Sequence, residues 1–167
     1  MLFCQIEQKG PIYKMNYIPQ DCNVIFQEVP GEISLSFSIT GCGLHCIDCH
    51  SPYLQSVENG ELLTWDVIDK KLAEYKSYIS CVLFMGGDKY ENVMFDFLMR
   101  IKKIELKTAM YSGHEDIPHN LKLYLDYYKV GCYNPSFGGL DCESTNQRFY
   151  AKKNGAWLDK TAQFWKE

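Results

Sequence analysis

Four short apolar segments, each running into a glycine turn, do most to limit what this chain can fold into. Ile33–Thr40 runs into Gly41, Cys81–Met85 into Gly86–Gly87–Asp88, Lys107–Tyr111 into Ser112–Gly113, and Tyr127–Val130 into Gly131. Ile33–Thr40 alternates with period two, apolar at Ile33, Leu35, Phe37 and Ile39, as a strand does. Cys81–Met85 is continuously apolar, the pattern of a strand covered on both faces. Between the segments lie helical patterns. Thr64 is an N-cap with Asp66 in the first turn, and Trp65, Ile68, Leu72, Tyr75 and Ile79 share one helical face. Met94, Phe97, Leu98, Ile101 and Ile104 repeat that spacing, and a short helical stretch lies near Leu121–Leu125. Strands alternating with helices predict parallel β-α units. Their glycine turns then gather at the carboxyl ends of the strands, where such sheets bind ligands.

Two segments flank this body. Asn23–Val29 reads as a strand broken at Pro30–Gly31. Gln147–Lys152 and Ala156–Lys160 flank Asn154–Gly155, a two-residue hairpin signal, and Phe164 and Trp165 beyond it fold back onto the body or face a partner. The 167 residues suggest one domain, fewer than the ~250 of a complete eight-stranded α/β barrel. The expected fold class is therefore α/β: a truncated, partial β/α barrel with mostly parallel strands and a C-terminal hairpin. Residues 15–167 form the single domain and residues 1–14 an N-terminal extension without clear pattern, with Met15 a candidate second start.

Composition narrows the function classes. With 46% hydrophobic residues the chain can build a core. The net charge is −4, and Lys70–Lys71, Lys102–Lys103 and Lys152–Lys153 are isolated pairs rather than a basic stripe, so nucleic acid is not the expected partner. No apolar run approaches the ~20 residues of a membrane span. Met1–Lys14 lacks a signal-peptide pattern, so the expected location is cytoplasmic. No Ser/His/Asp set or paired-carboxylate pattern points to hydrolysis.

Eight cysteines then need a role other than disulfides. Three are tightly grouped in Gly41-Cys42-Gly43-Leu44-His45-Cys46-Ile47-Asp48-Cys49-His50, with spacing C-x3-C-x2-C. Three thiolates on one short loop can ligate three irons of a [4Fe–4S] cubane. The fourth iron is left open to bind a substrate, and Gly41 and Gly43 let the backbone bend around the cluster. The competing reading is a zinc site of Cys42, Cys46, Cys49 and His50, or with a distant fourth ligand; it makes the chain an interaction module without catalysis. Cys81 reads as a small buried apolar residue. Cys4, Cys22, Cys132 and Cys142 have no motif spacing, and a second cluster at Cys132 and Cys142 is short of ligands. His45 reads as a spacer; His114 and His119 read as surface residues.

The motif resembles that of the radical S-adenosylmethionine superfamily, which also places it on the loop after the first barrel strand. The resemblance implies one [4Fe–4S] cluster on Cys42, Cys46 and Cys49 and S-adenosylmethionine as cosubstrate, chelated at the open iron and cleaved to a 5′-deoxyadenosyl radical. Where an aromatic residue often precedes the third cysteine, this chain has Asp48; Asp48 and His50 are then candidate adenosine contacts, or simple loop polarity. Gly86–Gly87–Asp88 resembles the superfamily's Gly-Gly-acidic element that meets the amino group of S-adenosylmethionine, and Ser112 is a candidate ribose contact.

Further segments resemble the activating proteins of anaerobic ribonucleoside-triphosphate reductase: Asp21–Glu28, His50–Leu54, Tyr128–Gly131, and above all Gly138-Gly139-Leu140-Asp141 followed by Thr145–Tyr150. Cys132 stands where proline is expected, without obvious consequence for the cluster. This resemblance implies a glycyl-radical activase, an oxidoreductase whose protein substrate is the reductase and whose partner is a low-potential electron donor such as a flavodoxin or ferredoxin. Thr145–Tyr150 either shapes an opening or nucleotide contact, or closes the sheet as a strand. A small-molecule radical enzyme of the deazaguanine-synthase type is the alternative within the superfamily.

Overall fold

The computed structural model describes residues 14–165; Cys4 and most of the N-terminal extension lie outside them. The strands are β1 (Asn16–Tyr17), β2 (Val24–Ile25), β3 (Ser34–Ser38), β4 (Glu61–Leu62), β5 (Cys81–Met85), β6 (Lys107–Tyr111), β7 (Tyr127–Val130), β8 (Arg148–Lys153) and β9 (Ala156–Asp159). The helices are α1 (Trp65–Tyr75), α2 (Glu91–Lys103) and the single turn α3 (His119–Lys122). Seven strands form one sheet in the order β2-β3-β5-β6-β7-β8-β9. β3, β5, β6 and β7 are parallel to one another, and β2, β8 and β9 add antiparallel edges. β1 and β4 pair separately.

One face of the sheet takes the helices. α1 starts where the Thr64 hydroxyl accepts from the Val67 N–H at 3.4 Å, an N-cap that satisfies one otherwise orphaned donor. It buries Ile68 and Leu72, and α2 buries Met94, Phe97, Leu98 and Ile101. They cover Leu35, Phe37, Val82, Phe84 and Met110 of the sheet, with the Phe37 and Phe84 rings stacked at 5.6 Å. Each such side chain removed from water contributes about 1.5–3 kcal/mol.

The opposite face is also covered. Cys81, Leu83, Ala109 and Phe149 form a second buried cluster with Val29. Phe164 folds back edge-on to Phe149 at 5.0 Å, whereas Trp165 remains 38% exposed. β3 is therefore buried along its whole length, its serines on this second face. In the C-terminal hairpin Asn154 (φ 52°) and Gly155 (φ 80°) both take the left-handed backbone that a two-residue turn demands.

Candidate iron–sulfur site

The register of the parallel strands sets one row of side chains across the carboxyl end of the sheet. Ser38 pairs with Met85, Met85 with Tyr111, Tyr111 with Lys129, and Lys129 with Phe149. Above this row opens a hollow of about 520 Å³, within the range of small-molecule sites. Cys42, Cys46 and Cys49 line its wall, as do glycines of the three later turns, Gly86, Gly113 and Gly131.

Local bonds shape the cysteine loop. The Gly41 and Cys42 N–H groups both donate to the Leu54 carbonyl, at 2.6 and 3.0 Å, which closes the loop on itself. Gly41 has φ +84°, and a Cβ there would lie 2.7 Å from Val57 Cγ2 and 2.8 Å from Lys89 Nζ. Only glycine meets both demands. His45 and Asp48 also take positive φ, a conformation that Asp and His adopt more readily than most residues. His45 is held by Gln55 Oε1 at 3.0 Å.

The motif thiols differ in environment from the core thiols. Cys42, Cys46 and Cys49 are half-buried, while Cys22 and Cys81 are buried. Burial pushes the Cys22 thiol up to about 11 and Cys81 to about 12, so these two behave as small apolar core residues. The Cys46 thiol is also raised, first by burial, then by Cys132, with smaller contributions from Cys49 and Cys42; the Tyr133 N–H donates to its sulfur and opposes the rise. Among the described residues no three or more His, Cys, Asp or Glu side chains are grouped to hold a single metal ion. A cubane takes one thiolate at each of several irons, and all-sulfur donors spread around one hollow fit that demand.

Asp88 and Ser112 meet beside the hollow. The Ser112 hydroxyl donates to Asp88 Oδ2 at 2.8 Å and accepts from the His114 N–H at 3.0 Å. His114 Nε2 lies 3.7 Å from the same carboxylate oxygen. Asp88, Lys89, Gly86 and Gly87 line a smaller adjoining hollow of about 60 Å³ that Cys42 also borders. Gly86 and Gly87 have φ of +87° and +99°. His50 borders the main hollow with its ring 4.8 Å from that of Tyr133. Asp48 is exposed and borders neither of these two hollows.

Lys129 is the residue that sequence reasoning passed over. Among the described residues it is the only lysine or arginine on the wall of the main hollow. Its ammonium sits 5.5 Å from the Tyr111 ring centroid, and Tyr111 is held by a hydrogen bond to the Glu28 carbonyl. Burial pushes Lys129 down to about 8, opposed by the nearby Cys46 and Cys132. The signal was available: a lysine inside the core strand Tyr127–Val130. Gln147, from the segment expected either to shape an opening or to close the sheet, also borders the hollow and donates to the Gly131 carbonyl at 3.2 Å. From Arg148 the same segment becomes β8.

No solved structure matches the chain. The pyruvate formate-lyase-activating enzyme of Clostridium pasteurianum is 31% identical over 97 residues, which cover 51% of this chain and 41% of that protein. The chain thus spans about two fifths of that relative's length. The family described as 4Fe-4S single cluster domain matches residues 30–118, more than half of the chain and the whole of the cysteine loop, the Gly86–Asp88 turn and Ser112. The chain belongs to that 4Fe-4S single cluster domain family.

Proposed function

We propose that this protein is a radical S-adenosylmethionine activase that places a glycyl radical on anaerobic ribonucleoside-triphosphate reductase. The observation that carries the reading is the meeting of three motif thiols, a glycine-paired turn and one half-buried lysine around two adjoining hollows at the carboxyl ends of the parallel strands. Cys42, Cys46 and Cys49 would hold a [4Fe–4S] cluster. When bound, the cluster supplies one electron that cleaves S-adenosylmethionine to methionine and a 5′-deoxyadenosyl radical, which takes a hydrogen from a glycine Cα of the partner.

The chain's own residues bind and orient. Lys129 is a cation placed for the carboxylate of S-adenosylmethionine. Asp88, fixed by Ser112, is an acceptor for its amino group. Gly86 and Gly87 let the backbone approach closely, and His50 with Tyr133 offers aromatic faces for the adenosine end. The apolar wall from Met85, Leu140 and Phe164 excludes water from a reactive intermediate. We read the seven-stranded sheet as the truncated barrel expected of such an enzyme, open on a side that a partner's glycine loop can enter. The electron would come from a flavodoxin or ferredoxin.

The choice of reductase rests on Gly138–Asp141 and Thr145–Tyr150, whose Gly139, Leu140, Asp141 and Gln147 border the hollow. The name of the Clostridium pasteurianum relative favours a second partner, pyruvate formate-lyase. The test is electron spin resonance of the reduced protein mixed anaerobically with S-adenosylmethionine and each partner. A glycyl doublet on the reductase supports the proposal. A doublet on pyruvate formate-lyase alone reassigns the partner, and 5′-deoxyadenosine without any partner radical favours a small-molecule substrate.

A further inference from the structure

The wall of the hollow carries four thiols. Besides Cys42, Cys46 and Cys49 it includes Cys132, contributed by the turn after β7. Cys132 lies 83 residues after Cys49, the last motif cysteine, so no spacing links it to the loop; folding brings it there. The Tyr133 N–H donates to the Cys46 sulfur, which holds the turn that carries Cys132 against the motif loop. The backbone here is held from several sides. Asn146 Nδ2 donates to the Cys132 carbonyl at 3.0 Å, the Gly131 N–H donates to the His114 carbonyl at 2.8 Å, and the Tyr133 ring leans on His50. The Cys132 side chain itself is exposed, so it can move without disturbing the core.

We propose that Cys132 is a displaceable fourth cluster ligand, its thiolate occupying the open iron until S-adenosylmethionine binds. This rests on the proposed function. Cubanes are most often held by four cysteines, and in a cluster with three protein ligands the iron that has none takes up whatever donor is at hand. A thiol already in the same hollow has the advantage of proximity. Ligation forms an iron–sulfur bond and releases the thiol proton to solvent. The carboxylate and the amino group of S-adenosylmethionine would then take the position: the iron–sulfur bond to Cys132 breaks, the ammonium gives up one proton and the released thiolate takes one up, and no electron is transferred. The resting cluster is thereby closed, and opens when substrate arrives.

The test uses the anaerobically reconstituted full chain. Iodoacetamide labelling is mapped by mass spectrometry with and without S-adenosylmethionine, with iron and sulfide measured on the same samples. In parallel, wild type and Cys132→Ala are treated with ferricyanide without S-adenosylmethionine and examined by electron spin resonance. The expected result is that Cys132 is protected until S-adenosylmethionine is added and then labels severalfold faster, with iron content unchanged. Only Cys132→Ala should lose one iron and show a [3Fe–4S] signal. Equal labelling before and after addition with the cluster intact, or equal [3Fe–4S] signals from both proteins, overturns the role of Cys132 and leaves the proposed function standing. Failure of wild type to take up iron and sulfide overturns both.

Discussion

The Lys89 ammonium donates a hydrogen bond to the Gly41 carbonyl, tying the turn that carries Gly86, Gly87 and Asp88 to the residue before the first motif cysteine. The same ammonium lies 4.8 Å from the Tyr90 ring centroid. The loop start is thus clamped by Leu54 on its N–H side and by Lys89 on its carbonyl side. Lys89→Met should cost the fold only about 1 kcal/mol, the usual net worth of an accessible hydrogen bond. It should hasten cluster loss to a chelator severalfold, and Lys89→Arg should restore retention in part. Absorbance decay under chelator, read beside thermal melting, separates the two effects.

Gly87 tolerates no side chain. Its φ is +99°, and a Cβ would sit 2.6 Å from Met94 Cε and 3.3 Å from Ile39 Cγ1. Gly87→Ala should destabilise by about 1–2 kcal/mol from backbone conformation alone. It should also weaken S-adenosylmethionine binding by displacing the turn. Denaturant unfolding and equilibrium binding check the two halves.

At the far end of the sheet, Glu32 ties the parallel strands together. It is 7% exposed and accepts from Ser80 Oγ and Tyr127 Oη at 2.6 Å each, and from Lys107. Burial alone would raise its carboxyl, but the hydrogen bonds from Lys107, Ser80 and Tyr127 outweigh it and hold Glu32 below the usual carboxylate range. The unfolded chain then binds the proton more readily. The contribution of Glu32 is full above the ordinary carboxylate value and is lost as pH falls through its lowered one. Stability should drop below about pH 4.5, and Glu32→Gln should make that drop shallower. Urea midpoints from pH 3 to pH 7 measure it.

Lys129 is held in the opposite imbalance. Its folded value near 8, lowered by burial, is below the ordinary 10.5. Between those values the unfolded chain binds more protons, so stability should rise with pH across that interval. Lys129→Met should abolish this rise in the cluster-free protein and raise its melting temperature at pH 7. The same substitution should weaken S-adenosylmethionine binding to the loaded protein about tenfold or more, as expected for losing a charge-assisted hydrogen bond of about 1.5–3 kcal/mol. Stability rising while affinity falls is the pattern of a group retained for function.

Much of this fold is legible in the sequence. Cys81–Met85, Lys107–Tyr111 and Tyr127–Val130 are strands with the expected bounds, because short apolar runs ended by glycine leave few other solutions. Asn23–Val29 is not, since only Val24 and Ile25 pair. The next residue opposite, Ile33, gives its carbonyl to the Ser80 and Cys81 N–H groups and its N–H to Ser80 Oγ, and Phe26 is left 67% exposed. The two-residue β1–β4 pair is too short to show any period. In the site, the cysteine loop and the Gly86–Asp88 turn announce themselves locally. Lys129 shows locally only as a lysine inside a core strand and Cys132 not at all, because their places at the hollow come from strand register and from long-range folding.

The central claim is a [4Fe–4S] cluster on Cys42, Cys46 and Cys49 that cleaves S-adenosylmethionine. The most direct measurement is iron and sulfide content of the anaerobically purified protein, with 5′-deoxyadenosine formation under a low-potential reductant, for wild type and Cys46→Ala. The account predicts about four irons and four sulfides and deoxyadenosine from wild type, with Cys46→Ala losing both the cluster and the product. Tightly bound zinc without sulfide, or a Cys46→Ala protein that cleaves S-adenosylmethionine at the wild-type rate, would contradict it.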